Sequence, residues 1–354
     1  MRILLVTDAW FPQVNGVVRT LNTLKTHLDR DGHDIVFITP DHFRTIPCPT
    51  YPEIPLSLFP GRRMAKIIEQ FRPCVVHVAT EGPLGMAARS YCVKRDIPFT
   101  TAFHTKFPEY VHARFGIPIA WTYKLMRWFH GGSQGIMVAT QTIEDELIKW
   151  GLTNIKRWTR GVDTELFKPR AKDFLDLPRP ISLYVGRVAV EKNIEAFLKL
   201  DLPGSKLVVG DGPQLADLSK SYPDVHFAGG KEGEDLAKHF AAADVFVFPS
   251  RTDTFGLVLL EALASGVPVA AFPVPGPLDV IGDASVGCLS EDLQHAVHVA
   301  LKADPQTCRD YALGFSWETS VQQFLDNVYP FNADDKFPMD KAASDRPREQ
   351  TSAA

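Results

Sequence analysis

Cysteine is scarce and scattered. The five in 354 residues (Cys48, Cys74, Cys92, Cys288 and Cys308) form no Cys-x-x-Cys pair and stand near no histidine at metal-ligand spacing. That excludes a disulfide scaffold and a zinc module, and makes reduced core thiols of a cytosolic protein the expectation. Long apolar runs are missing too. Nowhere do eighteen apolar residues follow one another, and the first run, Ile3 to Val6, meets Thr7 and Asp8 at once. It is too short for a signal peptide, so the chain is not expected to span a membrane. No Gly-x-Gly-x-x-Gly follows the first strand, which argues against a nicotinamide enzyme. Internal repeats, low-complexity tracts and recognisable nucleic-acid modules are absent as well.

What the chain does carry is an ordinary share of apolar residues, 45%, and length enough for two domains. Its net charge of −4 hides an asymmetry: residues 1–170 hold 22 Lys and Arg against 15 Asp and Glu, whereas residues 171–354 hold 16 against 27. A basic first half can meet an anionic surface, membrane or nucleic acid. Within that half, residues 107–130 interleave Phe115, Trp121, Tyr123, Trp128 and Phe129 with Arg114, Lys124 and Arg127, and residues 59–72 add four more basic side chains. Rings and cations together suit the interfacial layer of a bilayer; an amphipathic helix packed on the core fits either stretch as well.

Strand and helix patterns alternate. Short apolar runs at 2–7, 34–39, 74–80, 97–103 and 135–140 are separated by helical stretches. Residues 166–180, with three prolines and no period, read as a linker, after which runs recur at 181–187, 205–213, 224–230, 243–250 and 267–272. The fold class is therefore α/β, with two Rossmann-like doubly wound domains facing across a cleft. The expected bounds are 1–167 for the first domain, to which a helix at 315–330 returns, 168–314 for the second, and a disordered polar tail at 331–354.

Candidate ligands gather where strands end, the edge at which open α/β sheets bind small molecules. In "SRTDTFGLVLLEALASGVPVA" (250–270), Asp253 and Glu261 lie eight residues apart around Gly256. Asp253 or Thr254 is the expected N-cap of the helix that follows, and Gly266 its terminal glycine. A helical rise of about 1.5 Å per residue sets the two carboxylates roughly 10 Å apart, long for the single bond between a glycosidase pair. The spacing suits a ligand polar at both ends with an anion between, held by the free N–H groups near Phe255, Gly256 and Leu257. In "LYVGRVAVEKN" (183–193), Gly186 ends a strand and leaves Arg187 and Lys192 on a loop able to neutralise a diphosphate. The turn "VVGDGP" (208–213) brings Gly210, Asp211 and Gly212 close to whatever binds there. On the other side, Asn15 and Gly16 open a helix, His104 follows a strand, and Asp163 is either a turn residue or a ligand near the hinge.

Together, "NGVVRT", "FHTKFPEY", "RGVDTELF", "GRVAVEKN", "VVGDGP" and the D-x7-E element with its internal "TFG" resemble the retaining glycosyltransferases of family 4, with the GT-B fold, over residues 1–330. The resemblance implies a nucleotide-sugar donor in the second domain. Arg187 and Lys192 would hold its diphosphate, Glu261 its ribose, and the Thr254–Leu257 backbone the phosphate and sugar. Gly16 and His104 would line the site from the first domain. Asp253 stands in place of the family's usual glutamate, which leaves the sugar open, and Arg160 stands where many members have asparagine. No metal or other cofactor is implied; attack on the face that the diphosphate leaves would retain configuration. The motifs are most similar to the branch that glycosylates diacylglycerol, which implies transfer of a hexose or uronic acid from UDP-glucose, UDP-glucuronate or another UDP-sugar to diacylglycerol. Glycolipid would then form at the anionic inner face of the cell membrane, with the enzyme cytoplasmic and peripherally bound. A GDP-mannose-dependent mannosyltransferase and a UDP-sugar 2-epimerase are the alternatives; nucleic acid is not an expected partner.

Overall fold

The computed structural model describes residues 1–13, 15–48 and 51–337. Its first half is a parallel sheet built from β1 (Arg2–Val6), β2 (Asp34–Ile38), β5 (Val75–Val78), β6 (Thr100–Ala102), β7 (Gly135–Val138) and β8 (Ile155–Arg157), in the order β2-β1-β5-β6-β7-β8. An antiparallel ribbon, β3 (Thr45–Cys48) with β4 (Tyr51–Ser57), stands apart from it. The helices α1 (Gly16–Arg30), α2 (Gly61–Phe71), α3 (Pro83–Lys94), α4 (Phe107–Phe115), α5 (Ile119–His130) and α6 (Gln141–Lys149) fill the crossovers. The central strands are buried on both faces, which is why they read as unbroken apolar runs.

The second half repeats the plan. Its strands are β9 (Ile181–Val185), β10 (Ser205–Val209), β11 (His226–Gly229), β12 (Val245–Phe248), β13 (Val269–Ala271) and β14 (Gly287–Leu289), ordered β11-β10-β9-β12-β13-β14. Between and after them run α7 (Glu195–Leu198), α8 (Leu215–Ser221), α9 (Gly233–Ala242), α10 (Leu257–Ala264), α11 (Pro275–Val280), α12 (Leu293–Ala300) and α13 (Pro305–Ala312). The strand order reverses direction between β9 and β12. That switch point opens a crevice at their carboxyl ends, where the loops rich in candidate residues emerge.

After α13 the chain crosses back. In α14 (Trp317–Asn327), capped by the Ser316 hydroxyl on the Thr319 N–H, Val321 and Phe324 are buried with Leu21, Leu24 and Leu28 of α1. Burying a side chain such as Phe324 contributes about 1.5–3 kcal/mol, enough to hold a short helix that propensity alone would not. Its ring meets Trp158 and His77 at centroid distances of 5.3 and 5.2 Å.

Four expectations need correcting. Residues 331–337 are part of the packed structure rather than a disordered tail. The Phe331 N–H donates to the Cys74 carbonyl (2.8 Å), α15 (Ala333–Lys336) sets Asp334 against Arg72 (2.6 Å), and Phe337 is buried beside Ile68 and Cys92. Two phenylalanines supply the apolar anchors that the polar composition concealed; residues 338–354 lie outside the described set. The linker is no loose tether either, because Phe167 is buried in the second core and Arg309 donates to the carbonyls of Thr164, Phe167 and Ala264. The β3–β4 ribbon, β8 and β14 escaped a search for apolar runs, since the latter two are three-residue strands at or near sheet edges. Finally, Gly256, with φ of +83°, is the residue before α10, so neither Asp253 nor Thr254 caps it. Both side chains are engaged elsewhere.

Candidate active site

Parallel pairing of β9 with β12 brings the two loops that follow them together. A 3-10 turn at Val190–Lys192 presents Lys192, whose Nζ lies 2.5 Å from Asp253 Oδ1. Backbone contacts fix this meeting: Asn193 Nδ2 donates to the Pro249 carbonyl (3.0 Å) and Thr252 Oγ1 to the Glu191 carbonyl (3.2 Å). Burial works against the charge of Lys192, but Asp253 outweighs it and holds the ammonium above its ordinary pKa. Arg187 stands half-buried on the same loop, its carbonyl accepting from Tyr184 Oη (2.8 Å).

The glycine turn after β10 is stitched to that loop. The Gly186 N–H donates to the Val209 carbonyl (3.0 Å) and the Val188 N–H to the Asp211 carbonyl (2.8 Å). A Cβ on Gly210 would lie 1.9 Å from the Gly186 carbonyl oxygen, so only glycine permits the approach. A Cβ on Gly212 would likewise meet the Val188 carbonyl oxygen, at 2.4 Å. The Asp211 carboxylate, however, is exposed and accepts from the neighbouring Gly212 N–H (2.7 Å); it shapes the turn and is not drawn to Lys192.

The first lobe closes over the second. Thr254 Oγ1 donates to the His104 carbonyl (2.7 Å), and Thr140 Oγ1 to the Thr254 carbonyl (3.3 Å). A Cβ on Gly16 would be 3.9 Å from Leu257 Cδ1, which sets Gly16 directly across from the start of α10. Phe255 is buried between the loop and α11. Glu261, only 4% exposed, receives Arg19 of α1 on Oε1. Asp279 of α11 accepts from the first N–H groups of α6, those of Gln141 (2.8 Å) and Thr142 (3.1 Å).

Three polar atoms in this closed cleft are buried and lack partners among the described residues: Asp253 Oδ2, Glu261 Oε2 and His104 Nε2. Buried polar groups are almost always hydrogen-bonded, so such a cluster marks where a hydroxyl-rich ligand would complete the set. His104 accepts on Nδ1 from Arg160 Nη2 (3.1 Å), and burial, then Arg160 and His77, hold it well below its ordinary pKa.

Two of the expected residues serve their own loops. Asn15 Oδ1 caps α1 by accepting from the Val17 and Val18 N–H groups (3.0 Å each). Asp163 is exposed, and its Oδ1 closes a turn with the Glu165 and Leu166 N–H groups (3.0 and 2.9 Å). Residue patterns passed over Arg19 and Tyr110. Arg19 lies three positions after Gly16, hence on the same helical face. Tyr110 reaches from α4 to Thr252 Oγ1 (3.3 Å), and burial raises its pKa beside Lys192 and Asp253.

Two Rossmann-like lobes whose sheets turn their carboxyl edges toward one cleft, with a paired lysine and two acidic side chains in it, are the architecture of a GT-B glycosyltransferase. The chain belongs to glycosyltransferase family 4. The profile described as Glycosyltransferase Family 4 matches residues 14–166, and Glycosyl transferases group 1 matches residues 167–301. A GDP-mannose-dependent alpha-mannosyltransferase of Mycobacterium tuberculosis is 30% identical across 92% of this chain and 95% of that protein. An alpha-monoglucosyldiacylglycerol synthase of Streptococcus pneumoniae is 30% identical across 94% and 86%. A sulfoquinovosyl transferase of Arabidopsis thaliana is 29% identical across 80% and 62%. Among solved structures, sucrose-phosphate synthase of Thermosynechococcus elongatus superposes with a TM-score of 0.74 at 20% identity, covering 92% of this chain and 97% of the other. Anabaena HepE in complex with UDP and glucose gives 0.70 at 16% identity over 92% and 98%. At such identities the superpositions show the fold alone. The protein is an enzyme that transfers a sugar.

Proposed function

We propose that the protein is a retaining glycosyltransferase that moves a hexose or uronic acid from a UDP-sugar to diacylglycerol at a membrane surface. The observation that carries the donor half is the trio of unpartnered buried atoms, Asp253 Oδ2, Glu261 Oε2 and His104 Nε2, the first of them on the carboxylate that pairs with Lys192. Two acceptors and an imidazole nitrogen suit a ligand with hydroxyls at both ends. Lys192, assisted by Arg187, would neutralise the diphosphate between them, and the N–H groups at the start of α10 would face its oxygens. With charge uptake assigned to these side chains, the reading calls for no metal. The protein's part is then to orient the acceptor on the departing side and to stabilise charge there.

The lipid half rests on two supports: relatives named for glucosyl- and sulfoquinovosyl-transfer, and the outer surface of the first lobe. On α5, Trp121 is 72% exposed and Trp128 52%, alongside Leu125 and the cations Lys124 and Arg127. Phe59, 94% exposed, precedes Arg62 and Arg63 on α2. The side chain of Arg114 lies outside the described set. Among the described residues no helix is long and apolar enough to cross a membrane; in this reading contact is peripheral, through these rings and cations, at a cytoplasmic membrane face. A mannosyltransferase using GDP-mannose is the second reading, favoured by a relative of equal identity that is matched over 95% of its own length.

The test is incubation with radiolabelled UDP-glucose, UDP-glucuronate or GDP-mannose and diacylglycerol vesicles, with and without a chelator. Labelled glycolipid from a UDP-sugar, undiminished by chelation, is expected; label from GDP-mannose alone transfers the assignment to the second reading. Product from no donor removes the lipid acceptor, and sugar interconversion without acceptor would mean an epimerase. Trp121→Ala with Trp128→Ala should lower vesicle partitioning about tenfold or more, since each indole buries about 150–250 Å² at roughly 25 cal/mol per Å². Vesicle flotation measures it. Glu261→Ala should weaken donor binding about 10- to 100-fold, the worth of hydrogen bonds to a charged group, while leaving flotation unchanged. Calorimetric titration with the donor would expose an unaltered affinity.

A further inference from the structure

We infer that Arg160 is a positioning residue that sets the tautomer of His104, so that the imidazole presents an Nε2–H donor, and no base, to the bound sugar. The inference rests on the transferase reading for its functional meaning, but the arrangement stands on its own geometry.

Arg160 is 4% exposed, and no carboxylate lies within ion-pair distance of it among the described residues. Its Nη1 donates to the carbonyls of Trp158 (2.5 Å) and Thr159 (3.0 Å), and the guanidinium lies over the Trp158 indole at 4.3 Å. Nη2 is left to point at His104 Nδ1, 3.1 Å away. A buried cation without an anion is destabilising, and burial draws this guanidinium's pKa down to about 9. Such a feature persists where it is used.

Guanidinium has donors only. The His104 Nδ1 must therefore supply its lone pair, which puts the ring's single proton on Nε2. A second proton would set two cations side by side out of water. Trp158 packs edge-on against the ring at 5.6 Å, and the His104 carbonyl is tied to Thr254. The unpartnered, buried Nε2 thus offers a hydrogen to a sugar oxygen and no lone pair to a proton, on a residue whose own carbonyl meets Thr254 of the second lobe. The groups that face this imidazole are Arg160 and the neutral, buried His77. An asparagine at 160 could turn either end of its amide toward Nδ1 and would leave the tautomer unfixed.

Long-range proton–nitrogen correlation spectra of protein labelled with 15N-histidine read the tautomer directly, with His104→Gln identifying the signal. The wild type should show an unprotonated Nδ1 and a protonated Nε2, unchanged on mild acidification. Arg160→Met, which fills the space without a donor, should introduce the other tautomer; Arg160→Lys should largely restore the wild-type signal. An Nδ1–H tautomer in the wild type overturns the inference, even if Arg160→Met does not fold, and so does a spectrum that Arg160→Met leaves unaltered. In transfer assays, Arg160→Met should lower kcat about tenfold with a smaller change in donor KM, the loss of one aligned hydrogen bond. Should the wild type transfer from no donor, the functional reading falls and the spectra still decide the tautomer.

Discussion

Replacing Lys192 with alanine should reduce sugar transfer about 10²- to 10³-fold, the usual consequence of removing one preorganised group that stabilises charge forming in the transition state. The ammonium is mostly buried and fixed 2.5 Å from Asp253, so it needs no rearrangement to meet a departing diphosphate. The substitution also has a structural side. It leaves Asp253 with neither carboxylate oxygen paired, and breaking one partner of a buried pair costs up to about 3–5 kcal/mol, less here because each side chain keeps about a fifth of its surface. A double substitution, Lys192→Met with Asp253→Asn, separates the two effects. It should regain much of the lost thermal stability and none of the rate. Initial rates at saturating donor, read beside melting temperatures, make the comparison; recovery of both together would mean that Lys192 only braces the loop.

That prediction could be framed from residue types alone because the relevant loops sit at strand ends, and strand ends are the most legible part of such a chain. Runs such as Ile181–Val185 and Val245–Phe248 are buried on both faces, so their apolar character survives into the sequence. The pairing of β9 with β12 then brings Lys192 to Asp253 across 61 positions. A glutamate inside a helix can as well face solvent, and the sequence does not show that Glu261 is buried, as it proves to be. What could not be read is how the lobes close. Arg19 on Glu261, Tyr110 near Lys192 and Thr254 on His104 depend on the relative placement of the two lobes, which no local period encodes. Contacts distant in sequence also explain the missed cap. Asp253 and Thr254 are good capping residues by type, but Lys192 on the neighbouring loop and the His104 carbonyl across the cleft claim them first, and a left-handed glycine precedes α10 instead. Arg160 was conspicuous as an odd residue in a familiar motif; its partner His104 is 56 positions away.

Acidification should destabilise this protein through histidines that the fold keeps neutral. His77 is fully buried in β5, its Nδ1 paired with Thr100 Oγ1 at 2.8 Å, and burial, reinforced by Arg160, lowers its pKa from 6.5 to about 3. The unfolded chain takes up that proton below about 6.5, while the folded one does not until about 3. Within this window the unfolded state binds more protons, so stability falls as pH falls, by up to about 1.4 kcal/mol per unit for each such histidine. Above it the group contributes no slope. His104 acts in the same direction, whereas Asp8 and Glu109, raised by burial, act in the other and soften the slope toward the carboxylate range. His77→Asn retains a partner for Thr100 and cannot titrate, so its stability curve should be flatter than the wild type by about 1.4 kcal/mol per unit below 6.5. Urea unfolding at several pH values measures the difference, and parallel curves would refute it. Because burial, reinforced by the same guanidinium, keeps His104 neutral, activity per folded molecule should hold steady over the upper part of that interval, and its loss there should follow unfolding rather than the titration of a base.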